Sequence, residues 1–197
     1  MPCHDRAARV VSLLLAAGAD ATITSQHGAT PLFMAADAGH EDVVEALLSD
    51  SRGASVVNVV DAAGFSALST ACMKGHLACV ERLLKAGAAL CSLPGMRGPP
   101  LLKAAQGGHM RIFELLLQSG ATVDEPCADK SQVTALYMAA QLDNPPMVQM
   151  CLQFGADPDS TNARTGSTAL LFAAERGYLQ VCKLLVAAGA DVNAANR

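Results

Sequence analysis

The chain has few aromatic residues and no tryptophan. Aromatic residues make up 4% of its 197 residues, although hydrophobic residues make up 51%. A core of this composition is built from Ala and Leu rather than from large rings, and thin helices in close contact can supply it. The composition therefore disfavours a bulky globular core.

Long apolar runs and a basic surplus are also missing. Gly, Asp or Ser interrupts the richest apolar stretches before they reach the roughly 18 to 20 residues that cross a bilayer. The formal net charge of −4 gives no concentration of Lys and Arg of the kind that nucleic acid or an anionic membrane requires. We expect no membrane insertion and no nucleic-acid partner.

The cysteines show no pairing pattern. There are seven, and no CxxC pair occurs among them. An odd set with these spacings disfavours a disulfide framework or a zinc site, and predicts an intracellular protein with reduced thiols. Cys79, Cys151 and Cys182 fall at apolar helix positions, where cysteine acts as a small hydrophobic residue.

A repeat is the main positive feature of the sequence. The dipeptide Gly-Ala recurs at intervals of 33 to 35 residues, at Gly18, Gly53, Gly87, Gly120, Gly155 and Gly189. A period of this size indicates a small unit that cannot bury its own apolar face and stacks against copies of itself.

Each unit has the signals of two short helices. A Thr, Ser or Pro starts the first helix at Thr30, Ser66, Pro99, Thr134 and Thr168, and Thr or Ser can cap it. Small residues follow, then Gly-His or Gly-Tyr as a turn, and then a second apolar helix that we expect to end at the Gly of Gly-Ala. The helix pair has nearly constant length, whereas the connector before it varies.

The ordered set Thr-Pro-Leu, Ala-Ala, Gly-His and Gly-Ala-Asp-Val-Asn resembles the ankyrin repeat over essentially the whole chain. The resemblance implies an all-α ankyrin-repeat solenoid of stacked helix-turn-helix units with projecting β-hairpin-like finger loops. It predicts a single array over 1–197, with a partial leading repeat at 1–24 and full repeats at 25–60, 61–90, 91–124, 125–159 and 160–197.

Three departures from the family pattern stand out. The family usually has His after Thr-Pro-Leu, where it bridges adjacent units, but this position holds Phe33, Ser69, Leu102, Tyr137 and Leu171. In the fourth full repeat, Asp143-Asn144-Pro145-Pro146 replaces Gly-His, and Asn144 can cap the second helix. The Pro94 to Pro100 finger lacks a capping hydroxyl, which predicts the weakest hairpin.

The ends resemble cut repeats. By register the chain opens late in a first helix, which leaves Val10, Leu13 and Leu14 without part of their partner, and the last helix keeps an internal apolar pattern. We expect an excerpt from a longer array. A secretory signal is the alternative for Arg6 to Ala21, but Gly18-Ala19-Asp20 lies in the register of the repeat.

No constellation for catalysis is present. His40, His76 and His109 belong to successive units whose helices stack roughly 8 to 10 Å apart, too far to share a zinc ion. The Asp of each Gly-Ala-Asp is interpreted as architectural, and nucleophile and phosphate-binding motifs are missing. We expect no catalytic residue, cofactor or metal.

The family's variable positions give the candidate partner contacts. An apolar centre of Phe65, Met73, Met96, Val133 and Leu142 is expected between polar ends, which is typical of a protein-binding site. The alternative is that Phe65 and Leu142 fold back onto neighbouring units. The complete candidate set is Gln26, His27, Asp37, Phe65, Met73, Lys74, Met96, Gln106, Lys130, Val133, Gln141, Leu142, Arg164, Ser167, Glu175 and Arg176.

The resemblance therefore predicts a non-enzymatic, monomeric module that binds a protein or peptide on a concave face of fingers and first helices. Two alternatives remain open. The array could be the substrate-recognition arm of a larger multidomain enzyme, such as a kinase or a ubiquitin ligase, or it could be a mechanical spacer.

Overall fold

The computed structural model describes the backbone of residues 3–194 and the side chains from Arg6 onward. Within that range it is all-helical, as predicted. The helices are α1 (Cys3–Ala16), α2 (Pro31–Ala38), α3 (Glu41–Ser49), α4 (Ser51–Ser55), α5 (Ala67–Lys74), α6 (Leu77–Lys85), α7 (Pro100–Gly107), α8 (Met110–Gln118), α9 (Ala135–Gln141), α10 (Pro145–Gln153), α11 (Ala169–Arg176) and α12 (Leu179–Ala187).

The helices form the stack that the period predicts. We call α2, α5, α7, α9 and α11 the inner helices and their partners α3, α6, α8, α10 and α12 the outer helices. Each inner helix contacts its own outer helix, and α2, α5, α7 and α9 each contact the next inner helix along the chain. The buried core runs through the stack, with leucines and small residues of the inner helices at its centre. None of the helices within residues 3–194 has the length and apolar character needed to span a membrane.

The inner helices begin at the predicted caps. The hydroxyl of Thr30 accepts a hydrogen bond from the amide of Phe33 at 3.1 Å, and Ser66, Thr134 and Thr168 make the same bond. Pro99 offers no side-chain acceptor to α7. The capping pattern is confirmed because it depends only on residues within one turn.

The inner helices end in left-handed residues. Gly39, Gly75, Gly108 and Gly177 have φ between 71° and 84°. In the fourth full repeat Asp143 takes this conformation with φ 47°, and Asn144 caps α10 by accepting from the amide of Met147 at 3.1 Å. The predicted role of Asn144 is confirmed.

The Gly-Ala of the first full repeat does not end an outer helix, so the prediction for Gly53 is wrong. The helix α3 stops at Ser49, and the Asp50 carboxylate accepts from the amides of Arg52 and Gly53 to start α4. Gly53 lies inside α4, where a Cβ would meet the carbonyl oxygen of Leu47. The segment from the inner-helix cap to the glycine of Gly-Ala is two residues longer here, from Thr30 to Gly53, than in the other full repeats. The short helix α4 accommodates the extra residues.

The leading unit also differs from its prediction. The helix α1 runs unbroken from Cys3 to Ala16, through the positions where the other units turn between their helices. Residues 3–16 are therefore one outer helix rather than the end of a first helix followed by a second. In the described part of the chain no inner helix precedes α1.

The fingers are the loops before each inner helix, at 20–29, 57–65, 88–98, 122–133 and 157–167. Within residues 3–194 they contain two isolated β-bridges, between Val60 and Ser66 and between Thr161 and Thr168, and no longer strand pairing. A backbone hydrogen bond closes four of the loops, for example from the amide of Asp61 to the carbonyl of Phe65 at 2.9 Å. The third finger lacks this bond, which is consistent with the prediction that it is the weakest.

Candidate functional site

Neighbouring fingers are tied to each other. The amide of Ala62 donates to the carbonyl of His27 at 2.9 Å, that of Arg97 to Gly64 at 3.1 Å, and that of Ala163 to Ser131 at 2.8 Å. Between the third and fourth fingers the Cys127 thiol donates to the carbonyl of Arg97 at 3.1 Å instead. Hydrogen bonds therefore connect all five fingers into one row, which we call the finger ladder.

The bases of the fingers are fixed by carboxylates and amides. Asp124 accepts from the amide of Asp157 at 3.1 Å, and Asp159 accepts from the amide of Asp191 at 2.8 Å. The Gly-Ala-Asp carboxylates accept from amides two residues ahead, and the pKa of Asp20 is lowered chiefly by hydrogen bonds from Thr22. The architectural role predicted for these aspartates is confirmed.

The repeated histidines bridge adjacent units. Nε2 of His76 lies 3.1 Å from the carbonyl oxygen of Asp37, and Nε2 of His109 lies 3.1 Å from that of Met73. Each imidazole packs against the left-handed glycine of the preceding unit, at Gly39 and Gly75. The expectation that these residues serve only the turn missed this contact. No group of three metal-ligating side chains occurs within the described residues.

The inner face is the surface formed by the finger ladder and the exposed side of the inner helices. Ten of the sixteen candidate contacts are exposed on it, and Asp37, Phe65 and Met73 are half-buried. The exposed ones are Gln26, His27, Lys74, Gln106, Lys130, Gln141, Leu142, Arg164, Glu175 and Arg176.

Met96, Val133 and Ser167 are buried. The Met96 sulfur accepts from the amide of Leu93 at 3.2 Å inside the third finger, and the carbonyls of Val133 and Ser167 close the fourth and fifth fingers. The predicted continuous apolar centre is therefore wrong, because two of its five members point into the fold. In the fourth and fifth fingers the buried residue is the one directly before the cap of the inner helix.

An ionic cluster joins the first two inner helices. The Lys74 ammonium lies 3.5 Å from the Asp37 carboxylate, which also accepts from the hydroxyl of Thr70 at 3.1 Å. This pair is substantially exposed, so its contribution to stability is small. It holds two candidate contacts from different repeats in one place.

Lys103 is buried among residues of the second and third full repeats. Its ammonium lies 5.3 Å from the ring centroid of Phe65, 3.3 Å from Oε1 of Gln106 and 3.4 Å from the carbonyl of Arg97. No carboxylate lies within 4.0 Å of it in the described part of the chain. Burial lowers the pKa of Lys103, because the charged form loses water; the nearby Arg97 charge acts in the same direction, and the Asp129 carboxylate opposes it.

An aromatic pair marks the end formed by the last two repeats. The rings of Tyr137 and Phe172 are 5.7 Å apart, and the Arg176 guanidinium lies 5.3 Å from the Phe172 centroid. Tyr137 is buried and Phe172 is half-buried, so only Phe172 of this pair offers part of its ring to the surface.

Lys103 and Phe172 belong to a row of inner-helix residues that is not among the predicted contacts. The row consists of the residue four positions after the cap of each inner helix. The residue type at this position varies between repeats, whereas the position two residues earlier is always leucine. That variation at a fixed helical position was the available signal, since a helix of period 3.6 returns to the face of the cap there. Its members are Met34, Thr70, Lys103, Met138 and Phe172.

Comparisons with known proteins agree with this architecture. A family model described as "Ankyrin repeats (3 copies)" matches residues 3–93 and 101–196. The chain is 33% identical over 180 residues to "Ankyrin repeat protein nuc-2" of Neurospora crassa, covering 91% of this chain and 16% of that protein. It thus spans about a sixth of that relative's length.

Two solved structures are similar over almost the whole chain. The crystal structure of the human ASB11 ankyrin repeat domain has a TM-score of 0.81 and 28% identity, covering 100% of this chain and 87% of that one. The ankyrin repeat domain of Bcl-3 has a TM-score of 0.80 and 28% identity, covering 98% and 85%. The chain therefore belongs to the ankyrin-repeat family, whose domains are generally protein-interaction modules without enzymatic activity.

Proposed function

We propose that this chain is a non-enzymatic module that binds an extended segment of another protein across its inner face. The finger ladder is the observation that carries the proposal. Because hydrogen bonds already fix the fingers relative to each other, the loops lose little conformational freedom when a partner docks.

The charge of the inner face indicates the chemistry of the partner. Lys74, Arg97, Lys130, Arg164 and Arg176 are exposed on it, although the chain as a whole carries a formal charge of −4. The exposed acids of the fingers and inner helices are Asp20, Asp129, Asp157, Asp159 and Glu175, and all of them except Glu175 already accept a hydrogen bond from a backbone amide. A partner segment with carboxylates suits this face.

A selected peptide tests the assignment. Peptides from a random display library would be selected on the 197-residue chain, and the affinity of the tightest binder measured by titration calorimetry. We expect Lys130→Ala combined with Arg164→Ala to weaken binding by about tenfold or more, which is the range of interface hot spots. Added salt should weaken it further, because the contact is partly electrostatic.

Lys85→Ala combined with Arg111→Ala is the matched control. It removes the same number of exposed cations from the outer helices α6 and α8 and should leave the affinity unchanged. Equal loss in both double variants, or no loss in either, would show that the peptide does not use the inner face.

That the protein is intracellular and that it is monomeric stay predictions, as do the repeat borders. So do the excerpt from a longer array and the two alternatives, a recognition arm of a multidomain enzyme and a mechanical spacer. The spacer predicts that no selected peptide responds to the inner-face substitutions.

A further inference from the structure

Three of the five fingers satisfy amides at their tips with a side chain of their own. In the first, second and fifth fingers, the residue whose amide closes the loop is Ser25, Asp61 or Asn162. A side-chain oxygen of each also accepts a hydrogen bond from the amide two residues further on, at 3.3 Å for Ser25, 3.0 Å for Asp61 and 2.9 Å for Asn162. The Asp61 oxygen accepts from a second amide, that of Phe65, at 2.8 Å.

Cys127 occupies this position in the fourth finger. Its amide closes the loop to the carbonyl of Val133 at 2.8 Å, as in the other three fingers. Its thiol, however, donates to the carbonyl of Arg97 in the third finger at 3.1 Å. The position therefore supplies no oxygen acceptor to residues 128–132, which we call the fourth tip.

Successive amides of the fourth tip have no acceptor in the protein. Those of Ala128, Asp129 and Lys130 make no hydrogen bond within the described residues, and all three residues are exposed. The amides that correspond to Ala128 in the second and fifth fingers, those of Ala62 and Ala163, both donate to the preceding finger. The fourth tip thus presents backbone donors that its counterparts use internally, and such donors are available to a ligand.

The charges around the fourth tip favour an anion. Lys130 belongs to it, and Arg97 and Arg164 lie on the two neighbouring fingers. All three are exposed, and none of them forms an ion pair within the described residues. The one acid of the fourth tip, Asp129, already accepts from the hydroxyl and the amide of Ser131, and these hydrogen bonds lower its pKa.

We propose that the fourth tip binds a carboxylate of the partner protein, from an Asp or Glu side chain. This carboxylate takes the place that the Asp61 carboxylate has in the second finger, and the amides of Ala128, Asp129 and Lys130 donate to it. A carboxylate only accepts hydrogen bonds, and an ionised acceptor binds N–H groups more strongly than a neutral one. The inference rests on the proposed function, since it places one contact of the partner segment on the inner face.

Sodium acetate is the first probe, because it carries the carboxylate without the rest of a partner. The isotope-labelled chain is titrated with sodium acetate, and with sodium chloride at the same concentrations as the reference. Backbone amide shifts are followed by NMR. We expect saturable shift changes at the amides of Ala128, Asp129 and Lys130 with acetate and not with chloride. Their absence would overturn the proposal.

Two substitutions of Cys127 test the cause. Cys127→Asn supplies the oxygen that Asn162 supplies in the fifth finger, and it should reduce the response to acetate to the level of chloride. Cys127→Ala is the matched control, because it removes the thiol contact with Arg97 without adding an acceptor, and it should keep the response. The spectra also show whether each variant is folded. Loss in both variants, or a full response in Cys127→Asn, would show that the open amides are not the site.

The peptide selected for the inner face is the second probe, and it tests whether the carboxylate comes from a protein. Each Asp or Glu of the peptide is replaced in turn by Asn or Gln, and its affinity is measured for the wild-type chain and for Cys127→Asn. We expect one replacement to weaken binding to the wild type by about tenfold and to have little effect with Cys127→Asn. Equal losses with both chains, or a selected peptide without Asp or Glu, would overturn the proposal.

The two probes separate this inference from the proposed function. The acetate titration needs no peptide, so a specific response at the fourth tip stands even if no selected peptide uses the inner face. Conversely, a peptide that loses affinity with Lys130→Ala and Arg164→Ala, on a chain that shows no response to acetate, would contradict only the carboxylate site.

Discussion

At the scale of single residues, Lys103 is the least expected feature of the fold. A buried ammonium without a carboxylate partner has lost water, and the ring of Phe65 with two neutral oxygens replaces only part of that interaction. The charged side chain therefore lowers the stability of the array. For the same reason the folded protein binds this proton less tightly than the unfolded chain does, which is what the lowered pKa of Lys103 expresses.

Lys103→Met should raise the free energy of unfolding at pH 7 by about 1 kcal/mol, since the stem stays and the buried charge is removed. The advantage should shrink as the pH rises. The folded pKa lies below the unfolded value, so the unfolded chain binds more protons between the two, and the wild type gains stability until both states are neutral. Urea unfolding at about pH 7 and about pH 10 measures both effects.

Lys85→Met is the exposed control for this change. It should alter stability by less than about 0.5 kcal/mol at both pH values. If the difference in unfolding free energy between wild type and Lys103→Met stayed constant across the pH range, the charge of Lys103 would not be the cause of the lower stability.

The cysteines confirm their predicted character in part. Burial raises the pKa of Cys79 to about 11 and that of Cys151 to about 12, so neither is a thiolate at neutral pH. Both are fully buried, as expected, whereas Cys182 is only half-buried. Cys3 lies outside the part of the chain whose side chains are described.

At the scale of elements, the junction between an inner and an outer helix also joins the repeats. Gly75 ends α5 with φ 84°, and a Cβ there would meet the ring of His109, whose Nε2 lies 3.1 Å from the Met73 carbonyl. Glycine is thus required at this position both for its backbone conformation and for the approach of the next repeat.

Gly75→Ala and Gly108→Ala separate these two requirements. Gly108 has a similar φ of 71°, but a Cβ added there would meet nothing within 4 Å, so its substitution should cost only the left-handed strain of about 1 to 2 kcal/mol. Gly75→Ala should cost at least about 1 kcal/mol more, because the histidine must move and its hydrogen bond is lost. Thermal and urea unfolding give the two values.

The double variant Gly75→Ala with His109→Ala checks the explanation. Measured against His109→Ala alone, the alanine at position 75 should then cost no more than it does at position 108. An unchanged excess would mean that the bridging histidine is not responsible.

At the scale of the whole molecule, the two ends of the array differ from its middle. Each internal inner helix has a neighbouring inner helix on both sides. The helix α1 packs against the outer helix α3, but an open apolar groove lined by α1, α2 and α3 lies where an inner helix would pack against it. In a stack whose units contact only their neighbours, local opening starts where one of these contacts is missing.

Amide hydrogen exchange should show this gradient. We expect the amides of α1 to exchange at least tenfold faster than those of α5 and α7, which have inner helices on both sides. Mass spectrometry of peptic fragments resolves the helices. Equal protection along the array would indicate that it opens as one cooperative unit and that the groove leaves α1 no weaker.

The period, the helix pairs and most of their ends were predictable from local sequence patterns. These features depend on residues within one turn of each other, such as Thr30 with Phe33, and local geometry suffices to predict them. The prediction of a helix end at Gly53 was wrong because Asp50 caps a further helix, α4, that contains Gly53.

Solvent exposure of the candidate residues and the side-chain contacts between repeats depend instead on packing between distant parts of the chain. Met96, Val133 and Ser167 are buried by the folding of their own fingers, and His76 contacts a carbonyl 39 residues away in the sequence. Lys103 is buried because Phe65 of the preceding finger covers it. A repeat period specifies which units are neighbours. Which side chains are buried, and which ones contact the next repeat, depends on the shape of each loop and on the side chains of the adjacent unit. These come together only in the packed stack.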